Sequence, residues 1–233
     1  MKSPNALFLA ALSLFAVACS KTTSDNVKTS GVFASYSVQA QDTNRVECLV
    51  RFQVGGGTGT SLELAGADDV TCDGRAMTKS EAFGVVTYSV SLPYRTGYDY
   101  QVQFTRPNEP AYVATASLPE PILNVSPAAP VILRKGDRLA VTWTPSLNPL
   151  DEMTAYLEFS TGSSSHLRYR NDTAPENGVL EFDAAATSLN PNVPGQWNGN
   201  VKIHRRRQGR MPYGLAGAIS AEQTRSVGVT LTD

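Results

Sequence analysis

What most restricts this chain is a period of two. Val46, Cys48, Val50, Phe52 and Val54 fall on one side of an extended backbone, with Glu47, Arg51 and Gln53 on the other. Val86, Tyr88, Val90 and Leu92 repeat the pattern, as do Tyr98, Tyr100, Val102 and Phe104. Successive side chains of a strand point to opposite faces, so alternation sustained in this way specifies half-buried strands. Helical periodicity is confined to a short stretch, Ala184 to Leu189, which Pro191 ends. The expected fold class is all-β.

The first nineteen residues speak to location. Lys2 is followed by uncharged, mainly apolar residues from Ala6 to Ala18, and then by Cys19. A membrane-spanning helix needs about 20 apolar residues, and this run is shorter; its length suits the apolar region of an export signal. Leu14-Phe15-Ala16-Val17-Ala18-Cys19 resembles the lipobox of bacterial lipoproteins, with Ala16 where that family most often carries Leu. The resemblance implies cleavage before Cys19, a diacylglycerol on its sulfur and an acyl chain on its nitrogen. It implies a lipid-anchored protein of the bacterial cell envelope whose membrane partner is reached through that lipid. Ser20, in place of the Asp that favours inner-membrane retention, points to the outer membrane. Removing residues 1–18 takes away only Lys2 and leaves 19 basic against 21 acidic residues. So balanced a charge offers no attraction to nucleic acid.

With Cys19 committed to lipid, Cys48 and Cys72 remain as an even pair in an oxidising compartment and are expected to form a disulfide. Closing a loop of that length contributes about 3 kcal/mol. Residues 19–30 are small and polar and read as a lipidated, flexible tether. Prolines 119, 121, 127 and 130 stiffen the stretch 119–130, which is expected to link a first domain, 31–118, to a second, 131–233.

Short segments give the class of those domains. Leu92-Pro93-Tyr94-Arg95-Thr96-Gly97-Tyr98-Asp99-Tyr100-Gln101-Val102 resembles the corner between two strands of fibronectin type III domains. In that family a Leu precedes by six residues a Tyr whose hydroxyl folds back onto the backbone. Leu92 and Tyr98 hold that spacing. Leu139-Ala140-Val141-Thr142-Trp143-Thr144-Pro145 is similar to the family strand that carries a core Trp, and Tyr156-Leu157-Glu158-Phe159 resembles the strand after it. The resemblance implies two immunoglobulin-like or fibronectin type III-like β-sandwiches in tandem, a fold that carries no activity with it.

A search for chemistry finds little. His166 and His204 have no partner at metal-ligand spacing, and neither HExxH, CxxC nor GxSxG occurs. No metal or cofactor is expected. Gly55 to Gly59 lack the Lys and helix of a phosphate loop and read as a hairpin between strands. Asp68, Asp69 and Asp73 match no calcium loop and suit turns. Lys135-Gly136-Asp137, though a lookalike of integrin-binding tripeptides, sits where a tight turn is required. The densest charge is Arg205, Arg206, Arg207 and Arg210, expected at the tip of a hairpin after Val201 and Ile203. Arginines so placed either grip phosphate or carboxylate groups or form a solvated basic tip. Trp197, expected in the preceding loop, is a stacking surface for sugar or a cap on the sandwich. The leading expectation is a non-catalytic interaction or structural module with an envelope protein or glycan as partner. A carbohydrate-binding surface lipoprotein and an envelope hydrolase are the competing classes.

Overall fold

The structure is a computed structural model that describes residues 21–41, 43–134, 137–160, 166–174, 176–183 and 197–232. Among them there is no α-helix. The first half contributes β1 (Lys21–Thr23), β2 (Val32–Ala40), β3 (Arg45–Val54), β4 (Thr60–Glu63), β5 (Asp69–Cys72) and β6 (Arg75–Ala76). It continues with β7 (Thr78–Ala82), β8 (Val85–Pro93), β9 (Asp99–Thr105) and β10 (Tyr112–Ser117). The second half contributes β11 (Val131–Arg134), β12 (Arg138–Thr142), β13 (Asp151–Ser160), β14 (His166–Ala174) and β15 (Val179–Asp183). Two long strands end it, β16 (Trp197–Gln208) and β17 (Ala216–Thr232). The all-β class read from the alternation is what the chain adopts. The helical candidate at 184–189 lies outside the described residues.

One mixed sheet of eleven strands runs through both halves, in the order β1-β4-β3-β2-β17-β16-β13-β14, with β8 and β7 continuing from β3 and β11 beside β17. Two smaller sheets, β10-β9-β5-β6 and β12-β15, lie apart from it. The buried side chains form two clusters. In the first, Tyr36, Val38, Cys48, Val50 and Phe52 of the large sheet meet Val70, Tyr100, Val102 and Phe104 of the four-stranded sheet. The Phe52 and Phe104 rings lie 4.7 Å apart. The expected disulfide is present: Cys48 on β3 and Cys72 on β5 are both fully buried and join the two sheets across this core. In the second cluster Leu139, Val141, Trp143, Leu180 and Phe182 pack on Met153, Ala155, Leu157, Val201, Ile203, Val227 and Val229.

β17 serves both clusters. Residues 220–231 pair with β16 on one edge. On the other edge, residues 216–223 run parallel to β2 and residues 229–232 run parallel to β11. Ile219 and Ala221 are buried in the first cluster, Val227 and Val229 in the second. Close approach at the start of the strand requires glycine. A Cβ on Gly217 would lie 1.9 Å from the Ala34 carbonyl oxygen, at a φ of +148°.

Residues 21–31 depart from the expected tether. β1 pairs in parallel with β4, two short 3₁₀ turns follow, and Ser24 is fully buried. The cause is Arg106, on the β9–β10 connection. Its guanidinium donates to the Ser24 and Val27 carbonyls at 2.7 and 2.8 Å and to Thr29 Oγ1 at 2.9 Å, and pairs with Asp68 at 3.2 Å. Charge-assisted bonds contribute roughly 1.5–3 kcal/mol each, enough to hold a segment that has almost no apolar surface of its own.

The tyrosine corner is displaced by one strand repeat. Tyr100, not Tyr98, is the buried residue, and its hydroxyl donates to the Pro93 carbonyl and accepts from the Arg95 amide, both at 2.9 Å. Tyr98 packs edge-on against Tyr100 at 5.1 Å, beneath the Arg95 guanidinium. Both tyrosines have the same parity in the alternation, so spacing from Leu92 alone chose the wrong one. A different turn joins β7 to β8: Phe83 and Gly84 take φ of 50° and 76°, as a two-residue hairpin of this hand requires. The left-handed conformation costs a side chain such as Phe roughly 1–2 kcal/mol.

The corner assignment predicts that Tyr100→Phe lowers stability by about 1–3 kcal/mol, because the Pro93 carbonyl and the Arg95 amide lose the hydroxyl that bonds both. Tyr98→Phe stays within about 0.5 kcal/mol of the parent. Urea unfolding of the two variants checks this, and equal effects would contradict it.

Candidate functional site

The arginine-rich stretch is neither a hairpin tip nor one surface. Residues 197–208 form the strand β16, and the turn lies beyond it, at 209–215. Along β16 the odd positions face inward, so Arg205 falls on the side of Val201 and Ile203 and is 1% exposed. Its two terminal nitrogens are bonded from three directions, while its buried Nε has no partner among the described residues. Nη1 donates to the carbonyls of Glu120 and Pro121 at 2.9 and 3.0 Å, and Nη2 donates to the Thr144 carbonyl at 2.8 Å and to the Glu176 carboxylate. A planar fork with several donors is the side chain suited to such a site.

Arg207 continues the same network. Its Nε donates to Asp151 Oδ1 at 2.7 Å, and the other oxygen of that buried carboxylate accepts from Ser146 Oγ at 2.6 Å and the Glu120 amide at 3.3 Å. Gln223 of β17 adds a bond from Nε2 to the Pro119 carbonyl at 2.8 Å. The proline-rich backbone at 119–121 is thus gripped by side chains of β16 and β17. Two of the four candidate arginines hold the chain to itself.

The remaining two sit elsewhere. Arg206 is half-buried on the opposite face, between Glu152 of β13 and Glu222 of β17 in register. Arg210 is exposed past the end of β16, and its amide and carbonyl bridge to Thr115 of β10 at 2.8 and 3.0 Å. Gly209 permits that approach: a Cβ there would lie 2.2 Å from the Thr115 carbonyl oxygen. Trp197 is the first residue of β16, opposite Leu231, and so belongs to a strand instead of the expected loop.

On the outer face of β13, β16 and β17, His204 lies between Tyr156 Oη, 2.9 Å from Nε2, and Thr224 Oγ1, 2.9 Å from Nδ1. The His204 and Tyr156 rings stack at 5.0 Å, and Lys202 pairs with Glu158 at 3.2 Å beside them. Burial pushes the His204 imidazole below its ordinary value, with Glu222 pulling the other way. Both ring nitrogens are engaged by neutral hydroxyls, an arrangement that orients the ring and supplies no activated nucleophile. Sequence reasoning gave His204 no role. The signal was its even position in the same strand, opposite Thr224 and one pair diagonal from Tyr156, which faces Lys202.

Asp68 and Asp73 also have structural work. Asp68 pairs with Arg106, and Asp73 Oδ1 accepts from the Gln101 amide at 2.9 Å, closing the turn after β5. Among the described residues no group of three or more His, Cys, Asp or Glu converges as metal ligands. A cleft of about 180 Å³ lies where the halves meet, lined by Ala40, Tyr94, Pro121, Leu123 and Gln223 among others. It is smaller than the roughly 300–1,000 Å³ of pockets that enclose metabolite-sized ligands. Thr29 and Tyr112 donate to Glu109 at the opposite end of the first half, and the Thr29 hydroxyl, ahead of Tyr112, holds that carboxyl below the usual range.

No protein-family model matches the chain, and no curated protein matches it.

Two outcomes test this reading of the arginines and the histidine. Arg205→Met lowers stability by about 3–5 kcal/mol, because the half-buried Glu176 carboxylate loses its cation and three carbonyls lose their donor. Arg206→Ser and Arg210→Ser change it by less than about 0.5 kcal/mol in the same denaturant titration. Because the folded protein holds His204 below its value in the unfolded chain, its stability term is complete above about pH 6.5 and declines as pH falls. The slope of unfolding free energy between pH 7 and pH 5 is therefore shallower in His204→Gln than in the parent.

Proposed function

We propose that this chain is a lipid-anchored protein of the bacterial cell envelope, acylated at Cys19, that acts as a non-catalytic interaction or structural module. The observation that carries the reading is the lipobox-like run ending in Ala18-Cys19 after an apolar stretch too short to span a bilayer. The buried disulfide between Cys48 and Cys72 supports it, since such bonds persist outside the reducing cytosol. Ser20 favours the outer membrane.

The strand orders support a pair of immunoglobulin-like units. In the first half β2-β3-β8 faces β10-β9-β5-β6, with a tyrosine corner where the chain passes between the sheets. In the second, β12-β15 faces β13, β16 and β17, with a parallel edge strand, β11, beside β17. Folds of this kind offer faces and loop ends for contact with other molecules. The inward commitment of Arg205 and Arg207 favours the structural role of the basic stretch over a charged grip. An envelope protein or glycan then meets other surfaces.

Metabolic labelling with palmitate tests the proposal. The parent chain takes up label and migrates as a processed form, whereas Cys19→Ala takes up none and retains residues 1–18. Equal labelling of the two, or an unprocessed parent in the cytosolic fraction, overturns it.

A further inference from the structure

We propose that the end of the first half bearing Phe83 and Tyr213 docks on the bilayer, with both aromatic side chains in the lipid headgroup region. The inference rests on the anchored reading of Cys19 and adds an orientation to it.

Pairing register brings several turns to one end of the molecule. Val32 lies opposite Val54, so the start of β2 and the turn at 55–59 are level. Ala216 lies opposite Phe33, which sets the 212–214 turn at the same level. Val50 lies opposite Tyr88, so the start of β8 and the Phe83-Gly84 turn project from that end as well. Lys21 joins them: it pairs with Ser61 near the start of β4, and its Nζ is 2.7 Å from Glu81, two residues before Phe83.

The distance to the lipid follows from the chain. Cys19 is two residue steps from Lys21, with only Ser20 between them, at most about 7 Å of extended backbone. Because residues 21–31 are bonded into the fold by Arg106, no slack from that segment lets the body drift away from the anchor. The membrane therefore lies against this end.

The side chains presented there suit a headgroup layer. Phe83 is 96% exposed and Tyr213 is 102% exposed, each at the apex of a hairpin. Phe83 has a left-handed backbone, φ 50°, where Asn or Gly is the unstrained choice, so neither turn geometry nor packing accounts for Phe at that position. Strain held at an exposed tip points to a contact outside the chain. Nearby charges balance, Lys21 and Lys79 pairing with Glu63 and Glu81, which leaves aromatic partitioning as the attractive term.

The test uses the full lipidated chain, reconstituted into phosphatidylethanolamine–phosphatidylglycerol vesicles that carry a headgroup nitroxide. A fluorophore is attached at Thr58→Cys, in the turn at the proposed end, or at Ile132→Cys on β11. Residues 216 and 230, the latter opposite Ile132, are separated by 14 positions of β17, roughly 46 Å of strand. Quenching at position 58 is expected to exceed that at 132 at least threefold. The double variant Phe83→Asn, Tyr213→Ser is expected to lose at least half of the quenching at position 58 without a lower unfolding midpoint, since Asn suits the turn. Tethering alone gives the same quenching at 58 in parent and double variant, and that result, on a chain whose intact mass shows acylation, overturns docking and leaves the anchor standing. A mass without fatty acid overturns both.

Discussion

Both hydrophobic clusters depend on one uninterrupted strand. β17 spans Ala216 to Thr232, roughly 55 Å of extended backbone, and supplies buried side chains first to one core and then to the other. Its edge opposite β16 is completed by β2 near one end and by β11 near the other, both in parallel. Parallel neighbours need long connections, and these pairings close only after most of the chain is in place. The two halves are consequently coupled through backbone hydrogen bonds, not merely linked in sequence.

Side-chain chemistry reinforces that coupling at the joint. Between Ala221 in the first core and Val227 in the second, β17 buries Gln223, whose amide holds the Pro119 carbonyl. On the adjoining strand, Arg205 binds the carbonyls of Glu120 and Pro121, and Arg207 binds Asp151. Proline-rich backbone presents carbonyls with few amides of its own, so donors must come from elsewhere. The basic stretch of β16 provides them. A buried ion pair replaced as a whole by apolar side chains of the same volume often costs little, whereas removing the guanidinium alone leaves its carboxylate and carbonyl partners unmet. That is a structural use of charge in a protein whose overall charge is nearly neutral.

Much of the first core was legible. The alternation in β3, β8 and β9 identified Val46, Val50, Phe52, Tyr88, Val102 and Phe104, and the compartment argument identified the disulfide, because both depend only on local pattern. Trp143 was legible from its resemblance to a core strand. What could not be read depends on contacts distant in sequence. Arg106 reaches back 82 residues to Ser24, and no feature of SKTTSDNVKTS signals that a guanidinium awaits it. The charge of Arg205 suggests exposure, whereas its parity with Val201 and Ile203 marks the inward face it takes. Tyr98 and Tyr100 are equivalent to a period of two, and only the hydroxyl geometry separates them. The apolar pattern of Val201 and Ile203 is shorter than β16, so the sequence places Trp197 and the arginines in a loop and its tip although the strand runs through them.

The coupling of the two cores through β17 is tested most directly by urea unfolding followed with two probes. In a Trp197→Phe background, tryptophan fluorescence reports on Trp143 in the second core, and hydrogen exchange of the β9 amides reports on the first. The account predicts one coincident transition, with the amides at 219–229 protected to the same global level as those of β9. Loss of tryptophan signal at low urea, while β9 remains fully protected, would contradict it and show two halves that unfold independently.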